Sequence, residues 1–215
     1  QVTVCHPKPS IDFHPNKTPK FAFVIHPLDV GLVSIAFDEP NLTEKKRSLV
    51  KKAFEWLPPF QCAEAMGICT PSGQKLAGDL MYFSLLPEQI LSLDSNFVLD
   101  KLISAGRIAQ SRGADVIGLG AYAAQIGKKG ALVSRELGIP VTTGTHYTIF
   151  VAIQSVMSAA SRVGINMEDA NVAIIGATGG IGKVCAQHFS KIASKLTLVA
   201  RNRTRTEQLI CDLKS

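Results

Sequence analysis

NVAIIGATGGIGKVCAQHF, residues 171–189, decides the fold. Val172 to Ile175 is a short apolar run of the kind that forms a buried parallel strand. Glycines follow at 176, 179, 180 and 182, where the chain must turn sharply into a helix. Gly176 permits the tight turn, Gly179 lets backbone approach a pyrophosphate, and Gly182 lets helix pack closely on strand. The helix that begins there offers first-turn amides and a positive dipole end to phosphate, with Thr178, Gly180 and Ile181 completing the loop. The bland alternative is a tight turn that holds no ligand. The next strand argues against it.

That strand is KLTLVA, Lys195 to Ala200. Sites that prefer NAD place an acidic residue at its end to bond the ribose hydroxyls. Here Arg201, Asn202, Arg203 and Thr204 stand instead, a set of guanidinium, amide and hydroxyl donors suited to a 2′-phosphate. The expected cofactor is therefore NADP(H) rather than NAD(H), the alternative being an ordinary solvated helix start.

Upstream of this unit, FAFVIHP from Phe21 reads as a buried strand, and LTEKKRSLVKKAFEWL as an amphipathic helix capped by Asn41 or Thr43. Residues 61–86 read as two extended runs about the turn Thr70 to Gly73. Pro87 opens a helical stretch that breaks near Asp94 or Ser95. A strand from Asp115, a helix from about Ala124 to Leu137, a short strand from Pro140 to Thr143 and a long helix from Tyr147 to Val163 follow. The fold class is α/β. An α/β substrate-binding domain is expected over 21–145, a connecting helix over 146–170, and the first half of a Rossmann-type doubly wound domain over 171–215, behind a tail at 1–20. The chain opens on Gln1 and stops at Ser215, before the remaining strands of such a fold, so it is expected to be a piece of a longer protein.

Of 215 residues, 46% are hydrophobic and 19% charged, a balance that excludes a disordered chain. The net charge of +6 has no nucleic-acid-binding motif beside it. Lys45, Lys46, Arg47, Lys51 and Lys52 read as one solvated helix face. Five cysteines, with no Cys-x-x-Cys pair, argue against a disulfide framework or a metal site and for a reducing, cytoplasmic setting. No apolar run reaches membrane-spanning length; peripheral membrane contact and oligomeric state stay open.

The order of motifs resembles the cyanobacterial long-chain fatty acyl-ACP reductases. The resemblance rests on FAFVIHPLD (21–29), GQKLAGDLMYFSLLPEQIL (73–91), GADVIGLGAYAAQIGKKG (113–130), VTTGTHYT (141–148) and VAIIGATGGIGKVCAQHF (172–189), and covers about residues 21 to 204. It implies NADPH-dependent reduction of a fatty acyl thioester, carried by acyl carrier protein or coenzyme A, to an aldehyde. It also implies a cysteine acyl-enzyme whose cysteine lies beyond this chain, so no catalytic residue is assigned. Cys62, Cys69 and Cys185 read as structural. Gly118 and Gly120, at the end of a parallel strand, are expected to line the substrate cleft with Thr143 and His146. Where the family reads TTGNTHT, His146 is shifted by one residue and Tyr147 takes the histidine's place, so a capping or interdomain role for His146 is equally expected.

Three other readings fit parts of the pattern. Gly176, Gly180 and Gly182 also match the spacing of short-chain dehydrogenases, which usually begin with this turn. A shikimate or amino-acid type dehydrogenase shares the domain order and would use a lysine and a carboxylate. A non-catalytic nucleotide-binding module is the third.

Overall fold

In the computed structural model, residues 18–31 and 44–214 are described; the expected caps Asn41 and Thr43, and the expected tail up to residue 17, lie outside them. The chain is an α/β protein that divides into two compact units, one reaching Thr143 and the other starting at Gly144.

The first unit is built on a five-stranded sheet. Its strands are β1 (Lys20–Ile25), β2 (Phe60–Cys69), β3 (Lys75–Tyr82), β4 (Val116–Leu119) and β5 (Val141–Thr142), in the order β2-β3-β1-β4-β5. All pairings are parallel except β2 with β3, the expected hairpin, which closes through Gly73 at φ 83°. Ala22, Val24, Met81, Ile117 and Leu119 alternate onto one face and form the core with Val98, Leu102, Ala109, Val133 and Leu137. Helix α1 (Glu44–Trp56) contributes Phe54 to a smaller cluster with Val30 and Leu86. The break expected near Asp94 separates α2 (Pro87–Ser92) from α3 (Ser95–Ser111), because the Asp94 carboxylate accepts the amides of Asn96 and Phe97 and caps α3.

One expectation is corrected. The helix anticipated from Ala124 to Leu137 is not continuous: a 3₁₀ turn, Ala121–Gln125, leads into a left-handed turn at Gly127 to Gly130, and regular helix α4 covers only Ala131–Glu136. Gly127 lies against Leu99 and Leu132, and Gly130 against Leu119 and Thr143, so tertiary contact overrides the local helical pattern.

The second unit holds α5 (Thr145–Arg162), β6 (Asn171–Ile175), α6 (Gly180–Phe189), β7 (Lys195–Val199) and α7 (Arg203–Lys214). Strands β6 and β7 are parallel, joined by α6 as a crossover. Ile149, Ile174, Ala177, Cys185, Ala186, Phe189 and Leu209 form its core. Among the described residues, no helix is long and apolar enough to cross a membrane.

Candidate functional site

The glycine turn sits where β6 ends and α6 begins. Gly176 takes φ 81°, and the amides of Gly176 and Ala177 both donate to the Val199 carbonyl, at 2.8 and 3.1 Å, which ties the turn to the end of β7. A Cβ on Gly182 would overlap the Gly176 carbonyl and lie 3.0 Å from the Ala177 Cα, so helix and turn meet backbone to backbone. Gly179 precedes the helix in extended conformation, and no side chain caps it. The first turn of α6 therefore presents its amides to whatever lies beyond the strand ends. Gly179, Gly180 and Ile181 are exposed and Thr178 is half-buried. An uncapped helix start at the carboxyl end of a parallel strand is the kind of place where a pyrophosphate can bind.

Ile175 pairs with Val199, so the residues after β7 open beside the glycine turn. Asn202 accepts the Arg205 amide at its Oδ1 at 2.9 Å and so caps α7. Arg203 donates from Nε to Glu207 at 2.8 Å along the helix surface. Arg201, Arg203 and Thr204 are all exposed beside the turn. The donor set suits an anionic ribose substituent.

A cleft of about 660 Å³ also occurs in this unit, lined by Met157, Ile165, Asn166, Glu168, Lys191 and Ile192. It lies at the amino ends of β6 and β7. Ligands of parallel sheets usually bind at the opposite, carboxyl ends, so the glycine turn rather than this volume is the candidate site.

In the first unit, Gly118 and Gly120 have a packing reason to be glycine. The Phe23 ring lies over both: a Cβ would come within 2.6 Å of it at Gly118 and within 2.9 Å at Gly120. Thr142 pairs with Gly118 on β5, and Thr143 follows it, half-buried. His146 belongs to the second unit, exposed in the first turn of α5.

Sequence reasoning passed over His26, which is buried at the end of β1. Its Nδ1 donates to the Pro27 carbonyl at 2.9 Å and its Nε2 accepts the Tyr122 amide at 3.1 Å. The two partners place a ring proton on Nδ1. This histidine joins the carboxyl ends of β1 and β4 and supports Ala121, which takes φ 45° just after Gly120. A polar residue ending an apolar strand was the available signal.

A lysine–carboxylate pair is also present, but it is closed. Asp79 on β3 is fully buried, 2.8 Å from Lys20 Nζ and 3.0 Å from Arg112 Nε. Burial pushes its carboxyl up, but hydrogen bonds and charge from Lys20 and Arg112 outweigh that and hold it below the usual range. Among the cysteines, burial pushes the thiols of Cys62 and Cys185 up, away from the thiolate form a nucleophile needs. Cys185 packs in the second core, and Cys62 Sγ faces the Leu80 carbonyl at 3.3 Å.

No family model matches the chain. It is 30% identical over 164 residues to the long-chain acyl-[acyl-carrier-protein] reductase of Synechococcus elongatus, covering 72% of this chain and 48% of that protein. It is also 29% identical over 170 residues to aminotransferase PigE of a Serratia species, covering 75% of this chain and 19% of that protein. The chain thus spans about half the length of the first relative and about a fifth of the second. The similarity to the reductase and the α/β fold are compatible with a fatty acyl reductase-like oxidoreductase.

Proposed function

We propose that this chain supplies an acyl-thioester-binding unit and the first part of an NADP(H) site in an oxidoreductase that reduces a fatty acyl thioester to an aldehyde. The observation that carries the reading is the juxtaposition of the Gly176 to Gly182 turn with the arginines after β7, in a chain similar to an acyl-carrier-protein reductase. The amides of the turn, with Thr178, Gly179, Gly180, Ile181 and Gly182, would hold the pyrophosphate. Arg201, Arg203 and Thr204 would hold the 2′-phosphate, and Asn202 would fix their backbone by capping α7. When bound, the dinucleotide would supply the hydride that reduces the acyl carbonyl to an aldehyde; in the cysteine acyl-enzyme that the resemblance implies, the carrier thiol would leave on acyl transfer and the cysteine thiolate as the aldehyde forms.

The first unit contributes substrate positioning. Gly118, Gly120 and Thr143, on the carboxyl rim that His26 organises, are the groups of this unit that we assign to the thioester. The closed Asp79–Lys20 pair gives no support to a shikimate-type dyad, since a fully buried carboxylate engaged by two cations cannot reach a polar substrate. The match to part of an aminotransferase favours, as a second reading, a nucleotide-binding module joined to other chemistry.

Fluorescence titration of the chain with NADPH and NADH decides between them and the absence of any nucleotide role. Preferential NADPH binding followed by binding of palmitoyl-pantetheine supports the reductase; NADPH binding without it favours the module. Equal or absent binding of both nucleotides overturns the cofactor assignment.

A further inference from the structure

Gly127, Lys128, Lys129 and Gly130 take φ of 58°, 55°, 60° and 81° in succession. Glycine accepts the left-handed region without steric cost, but in lysine the Cβ is forced against the following carbonyl oxygen. Lys128, Lys129 and Ala121 are the non-glycine residues at positive φ among those described. Both lysines are exposed, and neither side chain has a hydrogen bond or ion pair with another described residue. Lys75, Lys191 and Lys195 are likewise exposed without a side-chain partner among the described residues, but none of them has a positive φ, so the left-handed backbone is what sets Lys128 and Lys129 apart. Packing within the described chain therefore gives no reason for lysine at two positions that glycine would fill with less strain. Strain kept without a structural return points to function.

The turn is firmly seated. Gly127 lies against Leu99 and Leu132, and Gly130 against Leu119 and Thr143, so the backbone that carries the two exposed lysines is anchored next to the carboxyl rim of the first sheet. Point charges on flexible stems suit a broad acidic surface better than a small buried ligand. We propose that Lys128 and Lys129 form a docking point for the acidic surface of an acyl carrier protein, which delivers its thioester to this rim. The proposal rests on the acyl-thioester reading above and adds the partner and the residues that meet it.

The test is binding of palmitoyl-loaded acyl carrier protein, palmitoyl-CoA and palmitoyl-pantetheine to the wild-type chain and to a Lys128→Gly, Lys129→Gly double variant. Glycine relieves the backbone, so the melting temperature should hold or rise. Affinity for the loaded carrier protein should fall roughly five- to tenfold at low salt, the difference should shrink at high salt, and palmitoyl-pantetheine should bind as before. A Lys128→Arg, Lys129→Arg variant should keep carrier binding. Undiminished carrier binding in the glycine variant, or a lowered melting temperature, would overturn the proposal. A chain that binds palmitoyl-CoA and palmitoyl-pantetheine but not the loaded carrier overturns the docking point and leaves the thioester reading standing. A chain that binds none of the three sinks both.

Discussion

Lys101 of α3 donates its ammonium group to the main-chain carbonyl of Phe54 at 2.8 Å, and so closes the carboxyl end of α1 from another helix. A second bond of the same length reaches the Glu55 carbonyl. The last carbonyls of a helix have no intrahelical donor, and a lysine from outside satisfies two of them here. Burial of the amine holds its pKa down at about 8, with the Glu55 charge opposing the shift.

Between pH 8 and the unfolded value of 10.5, the unfolded chain keeps a proton that the folded chain releases. This group's contribution to stability therefore rises with pH across that window and is flat and lowest below it. Urea unfolding at a series of pH values should show the rise in the wild-type chain and lose it in Lys101→Met. At the top of the window, where a neutral amine still donates, the variant should be less stable by about 1–3 kcal/mol. Equal slopes in the two proteins would mean that the amine is solvated.

Asp79 makes the opposite prediction at acid pH. Its folded pKa lies below the ordinary 3.8, so its stabilisation is complete above that value and lost as pH falls through the lower, folded one. Asp79→Asn removes the buried anion from Lys20 and Arg112, leaving Arg112 only its exposed pair with Glu64 at 3.4 Å. Both cations keep some solvent contact, which discounts the cost to about 2–4 kcal/mol at neutral pH. The gap between variant and wild type, followed by denaturant titration, should narrow below pH 3.8 as the native carboxyl protonates. A gap that persists there would assign the cost to packing rather than charge.

The parts of this architecture carried by local pattern were legible in the sequence. Val172 to Ile175 announced β6 through its apolar run, glycines 176 to 182 announced the turn, and Pro87 and Asp94 marked the ends of their helices. What escaped is tertiary. Nothing local to Lys20 or Arg112 shows that both reach Asp79, because the sheet order β2-β3-β1-β4-β5 is needed to bring them together. The left-handed turn at Gly127 to Gly130 was hidden inside an ordinary helical period, since its shape is set by Leu99, Leu119 and Thr143 from elsewhere in the unit. Gly118 and Gly120 invited a ligand on sequence grounds, and the structure adds a neighbour, Phe23, that fills the space a side chain would take.

Gly182→Ala tests the glycine turn directly. In an ordinary helix interior this exchange gains up to about 1 kcal/mol. Here the new methyl would overlap the Gly176 carbonyl, so backbone must move on one side or the other. The expected result is a loss of about 1–3 kcal/mol in stability, as for other overpacked sites, together with weaker NADPH binding. A variant as stable as wild type, with undiminished binding, would show that the helix does not need this close approach.

Arg201 and Arg203 separate cofactor choice from helix stability. Arg203 is 92% exposed and held by Glu207 one turn on, so Arg203→Ala loses a surface pair worth about 0.3–0.5 kcal/mol along with any bond to the 2′-phosphate. Arg201 precedes the helix, is exposed, and makes no ion pair with a described residue, so Arg201→Ala should leave the melting temperature unchanged. If its guanidinium meets the 2′-phosphate, the lost charge-assisted bonds amount to about 1.5–3 kcal/mol, or roughly ten- to a hundredfold in NADPH affinity, with NADH binding untouched. Titrating both nucleotides against both variants distinguishes the cases. A selective loss for NADPH assigns the phosphate to these arginines, whereas an equal loss for both nucleotides places their effect in the backbone of the loop that Asn202 caps.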